Sequence, residues 1–546
     1  MRPLWAWQGK LRAWQSRAVD AIAAARSLDF LVMATPAAGK TRLALRIAHQ
    51  ALTAGAADRI VVVTPTDHLR TQWATAAAAA GIQLDPTIPR DRWEASDYHG
   101  AVATYQQVCM GAAVFCQAAN HRRTLVILDE IHHAGDGKDW GTALKAAFEP
   151  AVTRLALSGT PFRTDTEPIP FIRYQDGVSV ADFSYSYPEA IRDGVCRPVT
   201  FHSYEGHMTW RDNDGTHQAT FATPLDEKGR SRRLRTALQR QEWSGALLQD
   251  ADTHLTQLRA TQSAAGPLRT TPTDSDRPRT SPSESDRLRT PQRPTAHLAG
   301  GLVIAMDQAH ARSLAEQLRQ ITGIQPAIAM SDEPSSSATI ERFSTAQDKW
   351  LVAVKMVSEG VDIPRLRLLV YCSNVSTEMA FRQAVGRIVR MRPELGRPQP
   401  AWMYLPKDPI LIDHAQTIET EIRHELATAD APIVVAETGA GFQGSSFIPL
   451  GATARADALF TVQATPGDVE TQIDPPPPPL HKEKEGLREI HRTLVGDVAR
   501  KTGMDHRTIN STLCRETGGP IDRATRGQLQ KRLLLLERWK DYGRIG

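Results

Sequence analysis

Leu125-Val126-Ile127-Leu128-Asp129-Glu130-Ile131-His132 decides the reading of this 546-residue chain: an unbroken aliphatic run closes on two carboxylates and a histidine. A short apolar run without alternation is the pattern of a strand covered on both faces, as in parallel sheets. Carboxylates placed where such a strand stops stand at the carboxyl edge of the sheet, where open α/β folds bind ligands. Seen alone, the segment could equally be an acidic turn after a core strand.

Two neighbours change that balance. Upstream, Ala34-Thr35-Pro36-Ala37-Ala38-Gly39-Lys40-Thr41 joins the apolar run Phe30 to Ala34 to a helical pattern carrying Leu43, Leu45, Ile47 and Ala48. Backbone N–H groups at such a helix start cradle phosphates, so Ala37, Ala38 and Gly39 form the expected loop, Lys40 neutralises β- and γ-phosphates, and the Thr41 hydroxyl holds Mg²⁺. The loop departs from GxxxxGK[ST] at Ala34 and Ala37, where alanine restricts the backbone. With a nucleotide there, Asp129 falls beside Mg²⁺ and Glu130 is placed to orient and deprotonate a water. Adjacent His132 and His133 lack chelating spacing, so zinc is not expected. Downstream, a third strand pattern ends in Ser158-Gly159-Thr160-Pro161, and Gln383-Ala384-Val385-Gly386-Arg387-Ile388-Val389-Arg390 reads as the start of a helix. There Arg387 and Arg390 would share one face and reach one anion.

Around these segments, short apolar runs alternate with helical patterns on both sides of a stretch that cannot pack. That stretch, Pro267 to Pro294, repeats PLRTTPTDSD, RPRTSPSESD and RLRTPQRP with only Leu268 and Leu288 to bury, so it reads as a flexible insert. Expected strands are Phe30 to Ala34, Arg59 to Thr64, Ala101 to Tyr105, Leu125 to Leu128 and Arg154 to Leu157 before it. After it come Gly301 to Met306, Trp350 to Lys355, Leu368 to Tyr371 and Ala401 to Leu405. The fold class is therefore α/β, with two tandem parallel-sheet domains over 1–195 and 298–460. A connector over 196–260 holds a hairpin from Pro198 to Phe221 and a long helix, and the insert spans 261–297. A proline-rich linker covers 461–486, and a small helical domain, its first helix starting at Leu487, covers 487–546.

Hydrophobic residues at 41% and charged residues at 23% fit a globular chain of two to four domains. Five scattered cysteines, Cys109, Cys116, Cys196, Cys372 and Cys514, suggest neither a disulfide framework nor a zinc ribbon. With no long apolar run and no leader-like start, a cytoplasmic protein without membrane partners is expected. Charge is uneven: residues 487–546 hold thirteen Lys or Arg against seven Asp or Glu, while the whole chain is only +4. Phosphate attraction is thus local, and the helical domain reads as a helix-turn-helix-like DNA module or, nearly as well, as a three-helix adaptor for protein partners or an internal cap.

Taken in order, these segments resemble superfamily 2 helicases of the DEAD/DEAH type over roughly residues 8 to 425. The resemblance implies two RecA-like lobes of the P-loop NTPase class, ATP and Mg²⁺ as cofactors, ATP in the cleft between the lobes, and a nucleic-acid strand running across both. Leu11-Arg12-Ala13-Trp14-Gln15 is similar to the adenine-reading motif, making Gln15 the implied base contact. Thr64-Pro65 with Leu69, Arg70, Gln72 and Trp73 resembles motif Ia, and Thr104-Tyr105-Gln106 resembles motif Ib. DEIH from Asp129 is motif II, and SGTP from Ser158 through Thr160 is motif III. Ser358-Glu359-Gly360-Val361-Asp362 is similar to motif V, and the segment from Gln383 to motif VI, which makes Arg387 and Arg390 the implied arginine fingers. Trp73 and Phe162 could stack on bases, although core positions suit both better. The DEIHH and LRxWQ wording is nearer to type III restriction motors and repair helicases than to RNA remodellers, so DNA is expected ahead of RNA. The expected function is an ATP-dependent helicase or translocase on DNA; the alternatives are a restriction or defence motor that does not separate strands, and an ATP-latched binding protein.

Overall fold

The structure, a computed structural model, describes residues 4, 6–7, 9–25, 27–87, 97–135, 140–159, 168–176, 178–212, 215–264, 298–330, 336–354, 363–392, 395, 399–428, 456–459 and 479–543. It divides into two compact units, one of Met1–Ala34, Gly39–Tyr185 and Glu470–Gly546, the other of Thr35–Ala38 and Ser186–Val469.

The first unit holds a seven-stranded sheet. Its spatial order is Leu84–Asp85, Gly100–Thr104, Arg59–Thr64, Thr124–Leu128, Thr153–Ser158, Asp29–Ala34 and Phe183–Tyr185. Every neighbouring pair is parallel. Runs such as Val61, Val62 and Val63 are almost wholly buried, as strands covered by helices on both faces must be. The five strands expected from sequence are present; the short edge strands at Leu84 and Phe183 carry too few apolar residues to announce themselves.

The second unit has its own seven-stranded sheet, ordered Ala327–Ala329, Trp350–Val354, Gly300–Ala305, Leu366–Cys372, Ala401–Pro406, Val199–Tyr204 and Ala456–Leu459, with only the last pair antiparallel. Here the connector expected over 196–260 is corrected. Val199–Tyr204 is a strand of this sheet, paired in parallel with Ala401–Pro406, and the hairpin is confined to His207–Asp212 and Gly215–Thr220. The expected long helix is two, Glu227–Gln239 and Gln241–Ala264, broken at Arg240. Trp243, Leu247 and Leu255 of the second pack with Val303, Val352 and Val370 of the sheet in one core. Helix Tyr187–Arg192 also belongs to this unit, although the sequence pattern places residues to 195 in the first domain. The flexible-insert reading of 265–297 lies outside the described residues, while 261–264 are the end of a helix.

The C-terminal helices are Leu480–Thr502, His506–Thr517 and Arg526–Tyr542. Gly503 and Gly518 end the first two at φ 71° and 82°, and Asp505 caps the second by accepting from the Thr508 amide, as the sequence suggests. The first helix, however, starts at Leu480 rather than Leu487, so the linker expected to 486 is too long. The reason is packing of residues that look solvated: the Leu480 amide donates to Gln83 Oε1, and buried Lys484 pairs with Asp97 at 3.3 Å. No helix among the described residues is long and apolar enough to cross a membrane.

Candidate functional site

Strand Thr153–Ser158 pairs in parallel with Asp29–Ala34 on one side and Thr124–Leu128 on the other. Three loops therefore leave the same edge of the first sheet: the phosphate loop, Asp129-Glu130 and Ser158-Gly159. Parallel order does the positioning, because every strand's carboxyl end lies on that edge.

Helix Lys40–Thr53 begins after Gly39, which sits at φ 98° and supplies no side-chain cap. The Arg42 amide closes back on the Gly39 carbonyl at 3.1 Å, so the Lys40 and Thr41 amides are the ones turned toward an anion, and the Lys40 and Thr41 side chains start from that turn. A Cβ at Gly39 would be strained by its φ and would approach Gln15 Nε2 to 3.0 Å, so glycine is required here. Ala37 takes φ 67°. The loop keeps a left-handed turn at a cost of about 1–2 kcal/mol for the alanine. Ala38 is buried behind it. Gln15 is buried, its Nε2 donating to the Gly39 carbonyl at 3.0 Å and its Oε1 accepting from the Arg12 amide. Among the described residues, one N–H and one oxygen lone pair of this amide stay without a partner after it has propped the loop.

Lys40 Nζ donates to the Ala34 carbonyl at 3.2 Å and pairs with Glu130 Oε1 at 3.0 Å. Glu130 Oε2 in turn accepts from the Gly159 amide at 3.2 Å. Glu130 itself stands at φ 47°, an outlier of the kind concentrated at functional sites. Burial opposes its charge, but Lys40 and His132 outweigh burial and hold the carboxyl below its ordinary range. Asp129 goes the other way, raised by burial and then by the neighbouring negative charge of Glu130. A hard oxygen set of Thr41 and Asp129 suits Mg²⁺, whose charge would reverse that rise.

Sequence reasoning missed what holds Asp129. Trp73 is 2% exposed and donates its indole N–H to Asp129 Oδ2 at 2.7 Å. The Tyr105 hydroxyl donates to the Asp129 carbonyl at 2.9 Å. The aromatic character of Trp73 was legible and its burial expected, but a single polar tip reaching across the sheet has no sequence signal. Trp73→Phe is expected to keep the packing, leave one carboxylate oxygen short of a donor, and destabilise the protein by about 1–3 kcal/mol in urea unfolding. Half-maximal ATP hydrolysis should also need more Mg²⁺; an unaltered Mg²⁺ titration would leave Trp73 a packing residue only.

Several expected nucleic-acid contacts turn inward. The buried Thr64 hydroxyl faces the carbonyls of Thr66 at 3.2 Å and Ala103 at 3.4 Å, and Thr104 caps helix Tyr105–Met110 through the Gln107 amide. Ser158 is fully buried, 3.4 Å from His132 Nδ1. The Thr64 and Thr104 hydroxyls thus serve a strand end and a helix cap. Pro65 and Arg70 are partly exposed, with Arg70 paired to Asp67 at 2.9 Å.

In the second unit, Gln383 lies on helix Glu378–Gly386. The expected helix bearing both arginines is corrected: it ends at Gly386, Arg387 is its C-cap, and Arg390 forms an isolated antiparallel bridge with Cys196. Ile388 and Val389 are buried, the first in a tightened last turn closed by its amide on the Val385 carbonyl and the second leading into the bridge. Arg387 and Arg390 therefore share no helical face. Thr160, Ser358, Gly360 and Asp362 lie outside the described residues.

Residues 8–163 match the family model of the type III restriction enzyme res subunit, and residues 302–392 match that of the helicase conserved C-terminal domain. The chain is 37% identical to the uncharacterized protein MT2985 of Mycobacterium tuberculosis (strain CDC 1551 / Oshkosh), covering 96% of this chain and 92% of that one. It is 35% identical to the uncharacterized protein ML1624 of Mycobacterium leprae (strain TN), covering 96% and 93%. Among solved structures, a fragment of a putative HsdR subunit of a type I restriction enzyme from Vibrio vulnificus YJ016 is similar at a TM-score of 0.46 and 15% identity, covering 75% of this chain and 66% of that one. Dbp5 of S. cerevisiae bound to RNA and ADP BeF3 is similar at 0.45 and 12%, covering 76% and 88%.

Proposed function

Because the chain belongs to the DExH-type superfamily 2 helicases, in one family with the mycobacterial proteins, we propose that it is an ATP- and Mg²⁺-dependent motor acting on nucleic acid, DNA ahead of RNA. The observation that carries this reading is the chain of contacts Lys40–Glu130–Gly159 beside an Asp129 held by Trp73. Bound Mg²⁺ supplies charge neutralisation at the phosphates, with Thr41 and Asp129 as its holders. The Ala38 amide closes the loop on the Thr35 carbonyl, so the Gly39, Lys40 and Thr41 amides bind the phosphates, and Lys40 leaves Glu130 for the β- and γ-oxygens, so nucleotide arrival frees a carboxylate kept ionised until then. Glu130 takes the proton of the attacking water, and its bond to Gly159 carries the change to the strand ending at Ser158. Arg387 and Arg390 stabilise charge on the transferring phosphoryl group, with Gln383 as a neutral partner. Gln15 contacts adenine with its remaining donor and acceptor. Thr160, Ser358, Gly360 and Asp362 keep the coupling and binding roles of their motifs, and strand contact falls to Pro65, Arg70 and the amides near Thr64 and Thr104.

The test is steady-state ATP hydrolysis with Mg²⁺ in the absence of nucleic acid and with single-stranded DNA, duplex DNA or RNA, using Glu130→Gln as the blank. Stimulation by DNA is expected. Stimulation by RNA alone would overturn the substrate, and absent turnover under every condition would leave an ATP-latched binding protein. Strand displacement then separates unwinding from translocation.

A further inference from the structure

The C-terminal helical domain contains a cleft of 820 Å³, walled by helices Leu480–Thr502 and His506–Thr517 and by the turn at Pro520 to Asp522. Its lining is chemically one-sided. Arg488, Arg492, Arg507 and Arg532 face it, against Asp522 as the one carboxylate among the described lining residues. Two of these cations brace the wall through neutral oxygens. Buried Arg532 donates to Thr517 Oγ1 at 2.8 Å and to the Gly519 carbonyl, and Arg488 donates to the Asp522 carbonyl at 2.9 Å. Carbonyl partners hold a guanidinium in place without cancelling its charge. Arg492 and Arg507 are exposed at the rim.

A second observation points to a ligand. His491 lines the cleft at 2% exposure, and its buried Nε2 has no hydrogen-bond partner among the described residues. Burial, and then the charge of Arg532, lower this imidazole to about 4, so at neutral pH it keeps a single N–H to donate. A buried polar atom without a partner costs about 1–3 kcal/mol, which an oxygen-bearing ligand would recover and an apolar one would not. Asn510 and Ser511 add neutral donors along the same wall. The volume lies in the range of roughly 300–1,000 Å³ typical of small-molecule and cofactor sites, well beyond a lone phosphate ion.

We propose that this cleft binds the phosphate of a nucleotide unit, gripped by Arg492, Arg507 and His491, at a site separate from the ATP-hydrolysing edge. The unit belongs either to a nucleic-acid strand, in which case the site rests on the motor reading above, or to a free nucleotide.

The test uses the full-length protein without ATP, titrated in parallel with a fluorescein-labelled oligothymidylate of twenty nucleotides and with AMP. The double variant Arg492→Ala/Arg507→Ala changes only exposed side chains, so its melting temperature should match the wild type. Arg515→Ala, on the same helix but outside the cleft, is the control. Loss of oligothymidylate affinity by at least about threefold, with a salt slope flatter by about one to two, identifies strand phosphate. Loss of AMP binding alone identifies a free nucleotide. Unchanged binding of both probes in the double variant, or equal loss in Arg515→Ala, overturns the site. Binding is read without hydrolysis, so the two proposals fail separately: DNA-stimulated turnover with unaltered binding removes only the cleft, and affected binding without turnover removes only the motor.

Discussion

Glu130→Gln is expected to bind ATP with near wild-type affinity and to hydrolyse it about 10²–10⁴-fold more slowly, the usual worth of a positioned general base. Glutamine keeps the shape of the side chain and an oxygen for the Gly159 amide, so the strained backbone at Glu130 and the link to the Ser158 strand persist. What it removes is the charge that Lys40 answers and the basicity that accepts a proton. It also removes the negative neighbour that pushes Asp129 up, so the remaining carboxylate should ionise more readily and Mg²⁺ binding should not weaken. Equilibrium binding of a fluorescent ATP analogue beside single-turnover hydrolysis reads both halves. Full turnover would take the base assignment away from Glu130. Lost nucleotide binding would show instead that the carboxylate holds the site together.

That site was legible in sequence to the extent that parallel sheets are. An aliphatic run ending in Asp129-Glu130 and a run ending in a GKT loop must share an edge once both strands are parallel, and they do. Contacts made by one atom across the sheet left no periodic trace: Trp73 on Asp129, Gly159 on Glu130, and Gln15 on Gly39. Charge misled where it was buried. His481-Lys482-Glu483-Lys484-Glu485 reads as a solvated end of a proline linker, yet Lys484 is 4% exposed, paired with Asp97 and set over the Tyr98 ring. Val199 to Tyr204 reads as half of a hairpin because it lies beside a turn-rich stretch. Its register is set instead by Ala401–Pro406, some two hundred residues away, which no local pattern can indicate.

The arginines of the second unit test the limit of spacing arguments. A separation of three places side chains together only while the helix continues, and here it stops at Gly386. The Arg387 and Ile388 amides close back on Ala384 and Val385 at 3.1 Å, a tightened last turn, before the chain extends into the bridge with Cys196. Arg390 is anchored through its backbone, bridged to Cys196 and accepting at its carbonyl from Arg197, so its side chain leaves a fixed root. Arg390→Ala preserves that backbone and should leave the fold and the ATP affinity nearly unchanged. Preorganised charge acts on the transition state rather than on the bound nucleotide, so turnover should fall by about 10³–10⁵ with little change in KM. Arg387→Ala, at a helix cap with a different root, is the informative partner: loss in both variants assigns two fingers, and loss in one alone assigns a single finger with the other serving its surroundings. Wild-type kcat in both would return the segment to a basic turn and leave the phosphoryl charge to Lys40 and Mg²⁺.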